Sequence, residues 1–107
     1  MAKKQLPDHF VRFTEKYPDI AKAFDEFGRK LHETGPLTER ERRLVKLGIA
    51  IGVNTEGGVH SAVRNALAAG CTREDLEHVA RLAFTTLGWP LAQAALSWVE
   101  DGLEGDG

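Results

Sequence analysis

An acid, an imidazole and a guanidinium recur at every fourth residue in the stretch TEGGVHSAVRNALAAGC: Glu56, His60 and Arg64. On an α-helix, positions i, i+4 and i+8 follow one stripe, drifting only by the mismatch between four residues and the 3.6-residue turn. Glu56 can then accept a hydrogen bond from one imidazole nitrogen and fix the tautomer of His60, whose other nitrogen is left to move a proton. Arg64 can hold a substrate carboxylate in its planar fork. This is the equipment for decarboxylating or isomerising a small carboxylated substrate without a cofactor, with His60 and Glu56 catalytic and Arg64 binding. A bland reading stands beside it. Charged side chains at helical spacing commonly form solvated pairs worth roughly 0.2–0.5 kcal/mol, and a lone helical histidine often only packs.

Gly57 and Gly58 sharpen the question, because each costs about 0.8–1 kcal/mol against alanine in a helix interior and somewhat less in a first turn. Either they leave an empty volume beside His60 and so belong to a substrate site, or they allow a tight helix crossing against Gly48 or Gly52. Cys71 follows the turn glycine Gly70 and precedes Thr72. Its thiolate could gain from the positive end of the next helix and become reactive; the alternative is a small apolar filler. Glu56 and His60, one turn apart, could share a metal ion only with ligands from symmetry-related copies, since two are too few. No metal site and no cofactor is therefore expected. His32 and His78 read as surface residues, and His9 as part of a loose arm.

The chain that must position these groups has 107 residues, 42% of them hydrophobic, which suffices for one modest core. Fourteen basic against 16 acidic side chains give a formal charge of −2, too balanced for a nucleic-acid footprint or a polybasic membrane anchor. The start, MAKKQLPDHF, has no apolar stretch behind its lysines, and no apolar run approaches the length of a membrane span. A cytoplasmic location is expected, with no nucleic-acid or membrane partner. One cysteine excludes intrachain disulfides and any zinc site needing two thiolates from one chain.

Sustained apolar–polar alternation is missing, so an all-α domain of about six helices is expected. A short helix over Asp8–Lys16, with Pro7 ahead, carries Phe10, Val11 and Phe13. Pro18 suits the first turn of a second helix to about Thr34, with Ile20, Phe24, Phe27 and Leu31 at helical spacing. Gly35-Pro36 ends it. In LTERERRLVKLGIAIGV, Thr38 and Glu41 form a capping box ahead of a run apolar nearly all round, which predicts a central helix approached closely at Gly48 and Gly52. Asn54 or Thr55 caps the next helix, Gly70 stops it, and Thr72 with Asp75 caps another over Arg73–Leu87. Gly88-Trp89-Pro90 breaks the chain before a last helix, and the tail GLEGDG has nothing to bury. The expected organisation is an arm with a short helix (1–17), a helical domain (18–103) and a frayed tail (104–107). So much apolar sequence on a small chain favours a homo-oligomer, with Trp89, Trp98, Phe84, Phe10 and Phe13 as interface material.

The succession LTERERRLVKLGIAIGV, HSAVRNALAAGCTREDLEHVARLA and TTLGWPLAQAALSWV resembles the carboxymuconolactone decarboxylase family, which also contains the alkylhydroperoxidase-D proteins. The likeness covers about Ile20 to Leu103 and is most specific at ALAAGCT followed by REDLEHV. It implies an alkylhydroperoxidase-D-like all-α fold and a trimer or hexamer with sites near subunit contacts. Redox members carry Glu-x-x-Cys-x-x-Cys-x-x-x-His, whose positions fall here on Gly52, Thr55, Gly58 and Ala62. None of the motif residues is present, so alkyl hydroperoxide reduction (peroxiredoxin-type activity) is not expected. The decarboxylase branch acts without metal or organic cofactor, so the resemblance implies lyase chemistry on a small-molecule substrate. A non-catalytic member serving assembly or ligand binding is one alternative, and residual thiol peroxidase chemistry at Cys71 another.

Overall fold

A computed structural model describes residues 8–105; Pro7 and the last two residues of the expected tail lie outside them. The described residues contain helices and no strand, and no helix long and apolar enough to cross a membrane. The described residues divide into two compact units, one ending at Pro36 and the other beginning at Leu37.

The first unit contains α1 (Asp8–Lys16) and α2 (Pro18–Glu33), with Pro18 at the opening of α2. Proline is tolerated there because its missing N–H is one of the donors a helix start leaves unpaired anyway. The Phe13 and Tyr17 rings meet at 5.1 Å. Phe10, Phe13, Ile20 and Phe24 line an open groove of about 580 Å³ between the two helices. Neither helix buries a single residue.

The second unit holds α3 (Glu39–Val53), α4 (Glu56–Ala68), α5 (Arg73–Leu82), α6 (Phe84–Leu87) and α7 (Trp89–Gly105). Both expected capping boxes are formed: Thr38 Oγ1 accepts from the Glu41 amide at 3.1 Å, and Thr72 Oγ1 from the Asp75 amide at 3.1 Å. Asn54 takes the left-handed conformation at φ 66° and closes α3, a role asparagine fills almost as readily as glycine. Thr55 stands at the start of α4, although its side chain makes no capping hydrogen bond. At the far end of α4, Gly70 (φ 93°) donates to Leu67 O and Cys71 to Ala66 O, the paired bonds of a Schellman turn. That turn folds Cys71 into the core beside Ala66.

α4 packs against α3 and α7, and α5 packs against α7 and α3. The core between them is Leu47 and Ile51 of α3, Val59, Val63 and Ala66 of α4, Leu76 and Ala80 of α5, and Ala92, Ala95 and Val99 of α7. Four expectations change. α3 buries only one stripe, and Val45, Ile49 and Val53 remain exposed. A Cβ on Gly48 would make only ordinary contact, 3.9 Å from Val79, and one on Gly52 would meet nothing; an apolar cleft of about 240 Å³ runs past both. The expected helix over Arg73–Leu87 is jointed at Ala83, where the amide bonds back to Ala80 O and Arg81 O. At the other end, α7 continues through Gly105, and Gly102 and Leu103, expected to have nothing to bury, are half-buried.

Candidate functional site

Helix α4 turns Val59, Val63 and Ala66 into the core. At 100° per residue, Glu56, His60 and Arg64 fall on one flank of that buried stripe, and Gly58, Ser61, Ala62 and Asn65 on the other. The two flanks meet different neighbours and have different chemistry.

On the first flank, Glu56 and His60 are joined by Asp101 from α7, and one ligand-type atom from each lies within 4.8 Å of the others. His60 is half-buried, and its Nε2 is sealed from solvent without a hydrogen-bond partner. A buried polar nitrogen left unpaired costs about 1–3 kcal/mol, so the arrangement is held by the packing around it rather than by its own bonds. The expected Glu56–His60 hydrogen bond is not formed among the described residues. Arg64, half-buried on the next turn, has no hydrogen-bond or ion-pair partner among the described residues. An imidazole with two carboxylates close by has the groups for proton transfer. The same three side chains could instead close around a divalent cation, since a carboxylate, imidazole and carboxylate set suits one.

The other flank holds the open volume that the glycines announced. A recess of about 290 Å³ lies between α3 and α4, with Arg43, Lys46, Ile49 and Ala50 on one wall and Gly58, Ser61, Ala62 and Asn65 on the other. The expectation of empty space is met on Gly58's side, but not beside His60, which the helix turns away from it. Gly57 does not line the recess; a Cβ there would meet nothing within 4 Å, and the residue is exposed. A Cβ on Gly58 would collide with Thr55 Oγ1 and lie 3.7 Å from Ala50 Cβ. Gly58 therefore accommodates the Thr55 side chain, and a tight crossing against Gly48 or Gly52 is not what it serves.

Cys71 is 5% exposed, and its thiol lies 3.8 Å from the Arg40 carbonyl oxygen. Burial pushes its pKa up, with the Arg40 charge only partly opposing. The lowering expected from the start of α5 is thus reversed, and the side chain sits as a small core residue behind the Schellman turn. Asp75 moves the other way: the Thr72 amide, 2.8 Å away, and the Arg40 guanidinium hold its carboxyl below the ordinary range. One carboxylate thereby caps α5 and ties it to α3.

Fold and site together define a class: a small all-helical protein in which an acid–imidazole pair opens one helix and a Schellman turn leads from it into a capped helix. The chain belongs to the carboxymuconolactone decarboxylase family, whose family model matches residues 18–101. The match runs from the first residue of α2 to Asp101 and takes in both flanks of α4. No curated protein and no solved structure matches the chain. Within the matched region the chain holds a single cysteine, Cys71, so the paired cysteines of the redox motif are missing.

Sequence reasoning passed over two participants. Asp101 comes from a different helix, and no spacing rule links it to His60; its one signal is the adjacent Gly102, since a glycine inside a helix marks close approach of a neighbour. Arg43 is one of three arginines in LTERERRL, and the sequence alone gives no reason to separate it from Arg40 and Arg42.

Proposed function

We propose that the chain is a small acid/base enzyme of the decarboxylase–isomerase type acting on a small carboxylated substrate. His60 moves the proton, Glu56 and Asp101 balance the charge that forms on its ring, and Arg64 holds the substrate carboxylate. The observation that carries this reading is the gathering of the His60 imidazole with the Glu56 and Asp101 carboxylates, one ligand-type atom of each within 4.8 Å of the others. A reading as a thiol peroxidase loses support, because Cys71 is buried and its pKa raised. Assembly into a homo-oligomer, trimer or hexamer, belongs to the same proposal; it is supported by the exposed stripes Val45–Ile49–Val53 and Phe24–Phe27–Leu31 and by exposed Trp89. Of the other aromatic residues expected at an interface, Trp98 and Phe84 also pack partly against the core.

The test is turnover of carboxylated lactones and related acids by the full chain and by His60→Gln. A loss of about 10²-fold or more, the usual scale for a general acid/base, is expected with thermal stability retained. Unchanged turnover in a folded variant would refute the assignment. A second reading rests on Asp101: the three side chains hold a divalent cation that activates water. Prior dialysis against a chelator separates the two, since turnover persists under the first reading and disappears, to return with added Mn²⁺ or Zn²⁺, under the second.

A further inference from the structure

The unit formed by α1 and α2 hides little of its own apolar surface. Ile20, Phe24, Phe27 and Leu31 run along one side of α2, and each is more than half exposed. Phe10 and Phe13 of α1, with Tyr17 between the helices, are 44–46% exposed. A large side chain of this kind presents roughly 150–250 Å² when bare, so the half-covered set offers on the order of 700 Å², close to the roughly 800 Å² per partner of a standard interface. A small ligand in the groove between α1 and α2 would reach Phe10, Phe13, Ile20 and Phe24 and leave Phe27 and Leu31, which lie beyond it, uncovered. The stripe Val45–Ile49–Val53 of α3 carries three side chains, fewer than half of what this face presents.

The spacing along α2 fits one cover in particular. Ile20, Phe24, Phe27 and Leu31 are separated by four, three and four residues, a sequence that is the same in both directions. A second α2 laid antiparallel therefore meets it in register, with Ile20 opposite the partner's Leu31 and Phe24 opposite the partner's Phe27. The positions beside the stripe are small: Ala21, Ala23 and Gly28. A Cβ on Gly28 would meet nothing within 4 Å, so its missing side chain serves no packing inside the unit and leaves room for a neighbouring helix. Charge is kept to the far side of α2, where Arg29 pairs with Glu26 and Glu33, and Lys30 alone of the charged residues flanks the stripe. We propose that the α1–α2 unit is a self-association surface, pairing face to face with the α1–α2 unit of a second copy about a twofold axis, the Phe27–Leu31 ridge of each copy lying in the groove of the other. The proposal rests on the assembly reading above and names one of its contacts.

The experiment is size-exclusion chromatography with light scattering on the full chain and on Phe24→Glu, with thermal unfolding as the check on folding. The wild-type chain is expected to contain an even number of copies, and Phe24→Glu to halve its mass, since a carboxylate at the centre of the twofold contact would be buried twice without a partner. A wild-type trimer overturns the proposal and leaves the assembly reading standing; a wild-type monomer sinks both. An unchanged mass in folded Phe24→Glu, or in Leu31→Glu should the first variant not fold, also overturns the pairing while the assembly reading survives. Ile49→Glu on α3 separates the remaining occupant. It should either leave the mass unchanged or give a product different from that of Phe24→Glu. The same product from both variants would mean that the α1–α2 unit is seated on α3 of the neighbouring copy, and the proposal falls.

Discussion

Phe24 of α2 and Val63 of α4 occupy equivalent places in their sequences, each in the middle of an apolar stripe with three- and four-residue spacing. Their surroundings are opposite: Val63 is 0% exposed and Phe24 is 71% exposed. The contrast holds along both units. Ile20, Phe27 and Leu31 are exposed with Phe24, while Val59 and Ala66 are sealed with Val63. Two helices can touch along a line but cannot enclose a side chain, whereas α3, α4, α5 and α7 surround one. An amphipathic stripe thus specifies which face of a helix wants cover, and the number of neighbours decides whether the cover is present.

Three changes would break or sharpen this contrast. The largest effect is expected from Leu47→Ala, which empties a fully buried position of α3 and should cost about 2–5 kcal/mol by urea denaturation. A cost below about 0.5 kcal/mol, as at an ordinary surface site, would mean that the second unit has no such core. A smaller, pH-dependent effect is expected at Asp75. The Thr72 amide and the Arg40 guanidinium hold its carboxyl below the ordinary carboxylate range, so its stabilisation is fully present above the unfolded value and is lost as pH falls through the folded one. Asp75→Asn should lower stability at neutral pH and flatten the acid limb of the stability profile; parallel profiles for the two chains would exclude the linkage. Smallest is Phe24→Ser, expected to change the chain's own stability by less than about 0.5 kcal/mol while lowering the assembled mass in light scattering. A stability loss like that of Leu47→Ala, at unchanged mass, would erase the difference between the units.

What could be read in advance was local. The Thr38–Glu41 and Thr72–Asp75 boxes, Pro18 at a helix start and Gly70 at a helix stop each depend on residues a turn apart, and each is found where the sequence places it. Features that need a second helix were less legible. The glycines of α4 announced open space, but which flank it would occupy depended on where α3 and α7 lie. Gly48 and Gly52 suggested close approach, and α5 leaves a cleft there instead. The neighbours of His60 were half visible: Glu56 through its spacing, Asp101 only through the glycine that follows it. Cys71 looked reactive from its neighbours in sequence, and the turn that buries it reverses that inference.

The absent side chain at Gly102 has a consequence for the acid–imidazole site. A Cβ built there would stand 3.0 Å from Val63 Cγ1 and 3.2 Å from Val63 Cβ, so that Val63 or α7 would have to give by a few tenths of an ångström. Gly102 therefore works as a depth stop between α4 and α7, and the residue before it is Asp101. A single methyl group at 102 would act like a shim, lifting α7 by a few tenths of an ångström and widening the gap between Asp101 and His60 without altering either residue. The calibration of that gap rests on a position with no functional group of its own.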